Sequence, residues 1–379
     1  MSPQAHSLKI VMCEALPWGA TTKVGSHHYA ETLAKMGHEV FWLSHDLHVG
    51  GILRGKHRTK DYPFRNTQTV GPENRVTLWH PTVPLPFRKH RLFDNSAVAK
   101  LNARSARRTI RKVMHQSGFS QPDILWLSQS YSAYLGHSAI TAKTTFFRMS
   151  DNAASFEEFP KTYRQLEASL LKSVDTIGLS SPNLRNFIPD QYSKKVFDCP
   201  NGADLSLFKT DKVPNTTSRR RVVFTGTLGS WLDYDLINYL VEKHPEDDFK
   251  IYGPITDESK RLIPRSNLQC LGGFHYDTLP EILANADIGI IPFKLDNEIA
   301  RYANPLKAWE YLAAAVPVVA TDLPCFSGVQ HIQTARTKEA FSEALREPFT
   351  TEPAELRKSV ERYDWHSLTA ALLERICNA

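Results

Sequence analysis

Short apolar runs rich in β-branched residues alternate with amphipathic helical patterns along most of this sequence. The pattern begins with LKIVMCEAL, continues with the helical HHYAETLAKMG, which ends at Gly37, and returns to a strand pattern in HEVFWLS. Further strand patterns follow in RVTLWHP, DILWLSQ, TTFFRMS, DTIGLSS and KKVFDCPNG. Strands that alternate with helices predict a parallel sheet covered by helices, because parallel neighbours need long crossover connections.

The same alternation restarts after a polar linker that contains proline, KTDKVPNTTSRR. The strand patterns there are RRRVVFTGTLG, DFKIYGP, NLQCLGG, DIGIIPF and VPVVAT, with helices predicted in DYDLINYLVEKHP, TLPEILANA and YDWHSLTAALLERI. A length of 379 residues suits two domains. We predict an α/β fold with two Rossmann-like, doubly wound domains that face a cleft. Their ranges are 1–205, completed by the C-terminal helix 362–379, and 206–361.

Composition excludes several classes of protein. No run of 18 or more apolar residues is present, and the N-terminus lacks the features of a signal peptide. The five cysteines are widely spaced and form no CxxC pair, which indicates free thiols in a reducing cytosol rather than a metal site.

Charge is distributed unevenly between the two halves. There are 26 Lys and Arg against 16 Asp and Glu through Leu205, and 20 against 24 after it. The net charges are therefore +10 and −4, in agreement with +6 for the chain. A basic first half favours a polyanion or an anionic membrane surface as partner, and the alternative is that the charge only aids solubility.

The segment NPLKAWEYLAAAVPVVAT, 304–321, reads as a short helix that leads into a buried strand. Asn304 is a suitable N-cap and Pro305 a suitable first helical residue. The helix N-terminus favours a phosphate, and Lys307 in the first turn adds a full positive charge. Glu310 lies three residues on and can accept hydrogen bonds from vicinal sugar hydroxyls. The alternative is an exposed ion pair without function.

This segment resembles the donor-binding signature of GT-B nucleotide-sugar glycosyltransferases of the family-4-like group, together with ADIGIIPFKLDN, GTLGSWLDYDLI and PNGADLSLF. FFRMSDNAA and GLSSP resemble the glucuronosyltransferase of xanthan assembly. Together these motifs lie within 146–324. The resemblance implies a transferase that uses a nucleotide sugar, of which a UDP-sugar is expected and UDP-glucuronate is one candidate.

The resemblance also assigns residues that bind the donor. Lys307 would contact the diphosphate and Glu310 the ribose. Lys294 or Arg301 would pair with the carboxylate of a glucuronate. The remaining donor-binding residues implied by the motifs are Gly226, Thr227, Leu228, Phe293, Asn304, Pro305 and Leu306.

Retaining members of the family carry two glutamates eight positions apart. The position eight before Glu310 is Tyr302, and Glu298 stands at a different spacing. This departure favours an inverting reaction, with a retaining transferase of the same fold as the alternative.

An inverting transfer requires a base that takes the proton of the acceptor hydroxyl. FFRMSDNA ends a strand with Arg148, Ser150 and Asp151, and the resemblance implies that Asp151 is this base, with Arg148 near the acceptor. The alternative is that Asp151 caps a helix at 153–159. We expect a metal-independent reaction without a cofactor.

The loop LPWGATTKVGSHHYAETLAKMGHEV follows the first strand and would face the same cleft. Lys23, His27 and His28 are candidates for contact with acceptor or donor. The alternative for the histidines is a solvated or capped pair.

The segment PLPFRKHRLFDNSAVAKLNARSARRTIRKVMHQSG is the densest basic run and interleaves cations with aromatic residues. This composition suits an anionic membrane face and a lipid-linked acceptor. Nucleic-acid binding and a solvated helix face are the alternatives. The residues expected to face the membrane are Arg88, Lys89, Arg91, Arg104, Arg108 and Arg111.

The sequence thus predicts a glycosyltransferase of envelope or exopolysaccharide assembly, at the inner face of the plasma membrane. Three rival hypotheses remain: a sugar-nucleotide epimerase, a non-catalytic nucleotide-binding scaffold and a nucleic-acid binder.

Overall fold

A computed structural model describes residues 7–20, 22–55, 63–156, 159–208, 212–347 and 349–378. The chain divides into two compact units. The first comprises Met1–Ala20, Val24–Cys199 and Thr369–Ala379, and the second comprises Thr21–Lys23 and Pro200–Leu368. The units therefore divide after Cys199, whereas the sequence analysis placed the boundary at Leu205.

The first unit is built on a sheet of eight strands in the order β10-β9-β8-β7-β1-β2-β5-β4. All neighbours in this sheet pair in parallel except β4 and β5. Its strands are β1 (Lys9–Cys13), β2 (Glu39–Leu43), β4 (Gln68–Val70), β5 (Val76–Trp79), β7 (Ile124–Ser128), β8 (Thr144–Met149), β9 (Thr176–Leu179) and β10 (Val196–Asp198). A separate parallel pair is formed by β3 (Leu47–His48) and β6 (Thr82–Val83).

Five helices belong to this unit: α1 (Gly25–Lys35), α2 (Val49–Leu53), α3 (Ser96–Gln116), α4 (Tyr131–Ala139) and α5 (Tyr163–Ser173). The four residues from Ile10 to Cys13 at the centre of the sheet are fully buried. Continuous apolar strands of this kind are expected where helices cover both faces of a parallel sheet.

The second unit contains a fully parallel sheet of six strands in the order β13-β12-β11-β14-β15-β16. The strands are β11 (Arg221–Thr225), β12 (Asp248–Tyr252), β13 (Leu268–Gly272), β14 (Ile288–Ile291), β15 (Val318–Thr321) and β16 (Ile332–Ala335). The helices are α6 (Tyr234–Lys243), α7 (Leu279–Ala284), α8 (Glu298–Tyr302), α9 (Leu306–Ala313), α10 (Lys338–Arg346) and α11 (Pro353–Ser359). The last helix, α12 (Trp365–Cys377), begins in the second unit and continues in the first.

Each sheet contains a point at which the order of its strands reverses. In the first sheet this point lies between β1 and β7, and in the second it lies between β11 and β14. Ligands of open α/β sheets bind beyond the carboxyl ends of the strands at such points. These two places are therefore where functional residues are expected.

The sequence prediction missed the short and polar strands. β4 is an edge strand of three residues, and β16 reads IQTA, with polar residues in its middle. Neither forms the continuous apolar run by which the other strands were recognised. No helix among the described residues is long and apolar enough to cross a bilayer.

Helix α9 ends in a left-handed residue that is not glycine. Ala315 has φ +55°, and its N–H donates to the carbonyl of Leu312 over 2.9 Å. The N–H of Val316 donates to the carbonyl of Tyr311 over 2.8 Å. These two bonds define a Schellman motif, in which glycine usually occupies the left-handed position because a Cβ is strained there.

We predict that Ala315→Gly destabilises the chain less than Ala314→Gly. Both alanines are buried, but Ala314 has φ −80° and Ala315 has φ +55°. Both variants lose a buried methyl group and gain unfolded-state entropy, whereas only Ala315→Gly relieves left-handed strain of about 1–2 kcal/mol. Calorimetric unfolding of the two variants measures the difference, and equal losses of stability would contradict the assignment of strain to Ala315.

Candidate functional site

Helix α9 is fixed against the reversal point of the second sheet by Tyr311. A Cβ on Gly289 in β14 would lie 2.3 Å from the Tyr311 ring, so this close packing requires glycine. The Tyr311 hydroxyl accepts a hydrogen bond from the N–H of Thr225 over 2.7 Å and lies 3.1 Å from the Thr225 hydroxyl. Tyr311 therefore holds α9 against β14 and the carboxyl end of β11.

Lys307 lies in the first turn of this helix, beside the loops that follow both strands. A Cβ on Gly226, which has φ +129°, would lie 3.1 Å from Cε and 3.2 Å from Nζ of Lys307. The ammonium group is 5.2 Å from the ring centroid of Phe224 and 4.9 Å from that of Phe293. Burial lowers the pKa of Lys307 to about 8, and the nearby Glu310 opposes this shift. A desolvated cation in this position attracts an anion more strongly than an exposed one.

Glu310 lies one turn further along α9 and is 5% exposed. The Tyr276 hydroxyl donates a hydrogen bond to its Oε1 over 2.9 Å. Burial raises the pKa of Glu310 to about 7, while the Tyr276 hydrogen bond and Lys307 oppose the shift. The burial of Glu310 and the lining around Lys307 argue against the exposed ion pair that was the alternative. No local pattern marks Tyr276 as a partner of Glu310.

The prediction that Asn304 caps α9 and Pro305 is its first residue is wrong. The helix begins at Leu306, so Pro305 is the N-cap and provides no side-chain cap. The Asn304 Oδ1 instead accepts from Nε1 of Trp309 over 2.8 Å, and its carbonyl accepts from Nδ2 of Asn201 over 2.6 Å. The side-chain oxygen of Asn304 therefore accepts a hydrogen bond from the Trp309 indole, and not from a backbone N–H of α9 as predicted.

The other predicted donor residues occupy the same edge of the second sheet. Thr227 and Leu228 follow β11, and the Leu228 carbonyl accepts from the Thr256 hydroxyl over 2.7 Å. Leu306, at the start of α9, is half-buried, and Phe293 follows β14 with 4% exposure.

Two predicted groups lie in or near α8. They are the candidate partners of a glucuronate carboxylate, Lys294 and Arg301, and the residues compared with the first glutamate of retaining enzymes, Tyr302 and Glu298. Nζ of Lys294 donates to the Ser230 carbonyl over 2.9 Å, and the exposed Arg301 guanidinium is 5.9 Å from the Tyr302 ring centroid. Tyr302 is buried, and Glu298 is the exposed first residue of the helix.

A buried carboxyl that the sequence analysis missed lies at the reversal point of the first sheet. Glu14 directly follows β1 and is 4% exposed. Its Oε1 accepts from the Ser128 hydroxyl at the end of β7 over 2.6 Å, and Ser26 also hydrogen-bonds to it. Burial raises the pKa of Glu14 to about 7, and these hydrogen bonds and Arg148 oppose the shift. The rule that ligands bind at strand ends could have identified this residue.

Asp151 follows β8 in a loop that is held by Gln129. The Gln129 Oε1 accepts from the N–H of Ser150 over 2.8 Å and of Asp151 over 2.9 Å. Its Nε2 donates to Glu167 in α5 over 2.8 Å. The Ser180 hydroxyl donates to the Ser150 carbonyl over 2.6 Å. Burial raises the pKa of Asp151 to about 6, partly offset by Arg148. A carboxylate with this pKa is suited to act as a base near neutral pH.

The alternative that Asp151 caps a helix at 153–159 does not hold for the described residues. Ala153–Ser155 form a single 3₁₀ turn whose N-cap is Asn152, without a side-chain cap. Residues 157 and 158 of that segment lie outside the described part of the chain.

Arg148 is a buried residue of β8 whose guanidinium binds the residue that precedes Asp151. Its Nη1 donates to the Ser150 hydroxyl over 2.8 Å, and its Nη2 donates to the Cys199 carbonyl over 3.3 Å. The guanidinium lies 5.2 Å from the Tyr29 ring centroid. These contacts make Arg148 a positioning residue for the Asp151 loop.

The two predicted histidines are buried in the first unit, not solvated. In His27, Nδ1 accepts from the Val24 N–H over 3.3 Å, Nε2 lies 3.0 Å from the Pro17 carbonyl, and the ring is 4.7 Å from that of Trp42. His28 is 3% exposed. Lys23 belongs to the second unit, where its ammonium lies 5.1 Å from the Tyr276 ring centroid.

Every lysine and arginine side chain in the basic segment, residues 84–118, is exposed. Its helix, α3, buries one stripe that includes Val98, Ala106 and Met114 and presents its arginines to solvent. Arg111 also donates through Nε to the Ala139 carbonyl over 2.8 Å. The exposed cations are Arg88, Lys89, Arg91, Arg104, Arg108 and Arg111.

One group within the described ranges has the spacing of a metal site: His244, Glu246 and Asp247. It precedes β12 and so lies at the amino end of that strand, opposite the edge that carries Lys307. Asp247 also forms two hydrogen bonds with Arg220, of 2.8 and 2.6 Å. We therefore interpret this group as part of the fold.

We predict that Glu310→Gln flattens the pH dependence of stability. The pKa of Glu310 is higher in the folded chain, so the folded state binds more protons between about pH 4.5 and pH 7. The free energy of unfolding should therefore fall as pH rises through this window, by about 1–3 kcal/mol more in the native chain than in the variant. Calorimetry from pH 5 to pH 8 measures this difference.

Glu343→Gln, at an exposed position of α10, is the matched control and should leave the slope of the native chain unchanged. Parallel pH profiles for the native chain and Glu310→Gln would contradict the burial of a titrating carboxyl at this position.

Comparison with known proteins relates part of the chain to glycosyltransferases. Residues 219–349, which contain both β11 and α9, match the family model described as Glycosyl transferases group 1. TuaH of Bacillus subtilis (strain 168), named for glycosyltransfer in teichuronic acid biosynthesis, is 28% identical over 183 residues. The match covers 45% of this chain and 46% of TuaH, so the chain spans about half the length of this relative.

Two solved structures share the fold. Sucrose-phosphate synthase from Thermosynechococcus elongatus aligns with a TM-score of 0.66 at 13% identity, over 98% of this chain and 96% of that one. HepE from Anabaena, solved in complex with UDP and glucose, aligns with a TM-score of 0.58 at 13% identity, over the same shares of the two chains. Residues 219–349 thus match the group 1 glycosyltransferases, and the chain shares the fold of these two solved structures.

Proposed function

We propose that this chain transfers a sugar from a UDP-sugar to a saccharide acceptor, with inversion at the anomeric carbon. The observation that carries the proposal is Lys307, a desolvated cation beside the Gly226 loop at the reversal point of the second sheet. The similarity to HepE, which binds UDP, favours uridine as the nucleoside. The similarity to TuaH favours a role in assembling an envelope polysaccharide.

The donor diphosphate is held by Lys307 and by the N–H groups that follow β11. Glu310 accepts hydrogen bonds from the ribose hydroxyls, and the Tyr276 hydroxyl fixes its orientation. A cation placed where the leaving diphosphate gains negative charge lowers the barrier to its departure. UDP-glucuronate is the candidate donor, with Lys294 or Arg301 as partner of its carboxylate.

In the proposed reaction Asp151 accepts the proton of the acceptor hydroxyl. The acceptor oxygen forms a bond to the anomeric carbon while the bond between that carbon and the diphosphate oxygen breaks. The electron pair of the broken bond leaves with UDP. Gln129 and Arg148 keep the Asp151 loop in place, and no step requires a metal ion or another cofactor.

We predict that Lys307→Ala and Asp151→Asn separate donor binding from chemistry. Lys307→Ala removes the diphosphate contact and should abolish the rise in melting temperature that UDP produces. Asp151→Asn should keep this rise and lose about 10²–10⁴-fold in the transfer rate, because only the base is removed. Thermal unfolding with UDP and radiolabelled transfer from UDP-glucuronate and other UDP-sugars are the measurements.

The transfer rate should fall at acid pH around the Asp151 pKa of about 6, because only the carboxylate accepts the proton. Chelation with EDTA should leave the rate unchanged.

An α-linked product from an α-linked donor, observed by NMR, would show retention and refute the inverting mechanism. UDP binding without transfer or hydrolysis would favour the scaffold hypothesis.

We further propose that the exposed cations of α3 and of 88–91 contact an anionic membrane that presents a lipid-linked acceptor. Each cation near such a surface contributes about 1 kcal/mol, which salt screens. We predict that the chain sediments with phosphatidylglycerol vesicles in low salt and that Arg104→Gln combined with Arg108→Gln weakens this binding about 30-fold. Equal binding by the native chain and the double variant, or by neutral vesicles, would contradict membrane contact through α3.

A further inference from the structure

His244, Glu246 and Asp247 are part of the fold of the second unit, and they also have the ligand types of a metal site. His244 directly follows α6, and Glu246 and Asp247 end the turn that leads into β12. One possible ligand atom from each residue lies within 4.8 Å of the other two. This spacing permits a metal ion to bind but does not by itself indicate one.

The ring of His244 supplies an independent observation that points to an ion. The residue is fully buried, and its Nε2 lies 2.8 Å from the Ser342 hydroxyl in α10. Its Nδ1 is also buried and has no hydrogen-bond partner among the described residues. The same nitrogen lies 3.5 Å from Oδ2 of Asp247 and 3.7 Å from Oε1 of Glu246. A buried nitrogen without a partner is unfavourable, and the two carboxylates are the groups that it faces.

A cation between these three atoms removes their mutual repulsion. Burial lowers the pKa of His244, and Asp247 opposes this shift. When the neutral ring donates its Nε2 proton to Ser342, Nδ1 turns a lone pair towards the two negative charges. Neighbouring ligands of a tetrahedral zinc ion are about 3.3–3.6 Å apart, because the bonds to the ion are about 2.0–2.2 Å long. The separations of 3.5 and 3.7 Å at Nδ1 therefore match two edges of a zinc coordination tetrahedron.

Contacts outside the cluster hold the ligands in this arrangement. Asp247 is 1% exposed and accepts hydrogen bonds from Nε and Nη2 of Arg220 over 2.8 and 2.6 Å. Its N–H donates to the His244 carbonyl over 3.1 Å, and that carbonyl also accepts from Nδ2 of Asn267 over 3.1 Å. Metal ligands are commonly oriented by outer hydrogen bonds of this kind, as Ser342 orients the His244 ring.

The balance of charge around the cluster predicts a moderate affinity for a cation. Arg220 neutralises the carboxylate of Asp247, and the positive charge of Arg346 also acts on His244. The second carboxylate, that of Glu246, is 60% exposed and can therefore close on an ion that arrives from solvent. This carboxylate attracts a divalent ion, while the two arginines weaken the attraction.

We propose that His244, Glu246 and Asp247 bind a divalent transition-metal ion, for which zinc is the reference. Nδ1 of His244 and one oxygen of each carboxylate coordinate the ion, and water completes its coordination on the exposed side. An imidazole ligand favours zinc and similar ions over Mg²⁺ and Ca²⁺, which prefer oxygen ligands alone. The ion is structural, because the site lies at the amino end of β12 and Lys307 lies at the opposite edge of the sheet. This inference does not depend on the proposed function.

The test is thermal unfolding of the full chain after treatment with EDTA and removal of the chelator. Addition of about 100 µM ZnCl₂ should raise the melting temperature by about 2–5 °C for a dissociation constant of about 10 µM. The same concentration of MgCl₂ should leave the melting temperature unchanged, because one ligand is an imidazole. Co²⁺, added as a spectroscopic probe, should give the visible absorption of a low-coordinate ion and no thiolate charge-transfer band.

Glu246→Gln tests the assignment at an exposed position, where folding is not at risk. It replaces a coordinating carboxylate by an amide and should weaken zinc binding at least about tenfold, so most of the zinc-induced rise should be lost. Ser342→Ala removes the partner of Nε2 and should weaken zinc binding about 10–100-fold, because the ring loses its orientation. Glu242→Gln, at an exposed position near the end of α6, is the matched control and should respond to zinc as the native chain does.

The proposal is overturned if zinc does not raise the melting temperature of the native chain. A full zinc-induced rise in Glu246→Gln would also overturn it, because the ion would then bind elsewhere. A thiolate band from Co²⁺ would assign the ion to a cysteine instead of this cluster. The rise in melting temperature that UDP produces should be the same with and without zinc, and a rise that requires zinc would contradict a purely structural ion.

Discussion

The packing of Tyr311 on Gly289 determines where helix α9, which carries Lys307 and Glu310, lies in the second unit. The ring occupies the space that a Cβ on Gly289 would fill, and its hydroxyl binds the last residue of β11. Helix α9 is therefore held across two strands at the point where their order reverses. Lys307 and Glu310 are desolvated as a result, and each has its pKa displaced towards neutrality. A side chain at position 289 would displace the helix and with it both charges.

The first unit places its carboxyls by a comparable principle but with hydrogen bonds instead of ring packing. Gln129 binds two successive N–H groups of the Asp151 loop and is itself anchored by Glu167. Arg148 moderates the cost of burying two carboxyls at this edge of the sheet, Glu14 and Asp151. This network restricts the Asp151 loop, because the Gln129 side chain is bonded through both its oxygen and its nitrogen.

The proposed donor residues and the proposed base lie in different units of the chain. The match to the group 1 glycosyltransferases covers residues 219–349, where Lys307 and Glu310 lie. Asp151 lies outside that range, in a loop that follows β8. Loops vary more readily than the strands they follow, so the surroundings of Asp151 can differ among chains that share the matched range.

Local sequence determined the longer strands, because buried parallel strands read as continuous apolar runs. It also indicated helices such as α1, α6 and α12, and the charged pair at Lys307 and Glu310. Local sequence failed to predict the short edge strand β4 and the polar strand β16. It also failed at the start of α9, where the Asn304 side chain accepts a hydrogen bond from Trp309 and does not cap the helix. Only the tertiary structure brought Tyr276 to Glu310, Gln129 to Asp151 and Asp94 to the start of α5. These contacts join residues that are far apart in the chain, and no local pattern encodes such distances.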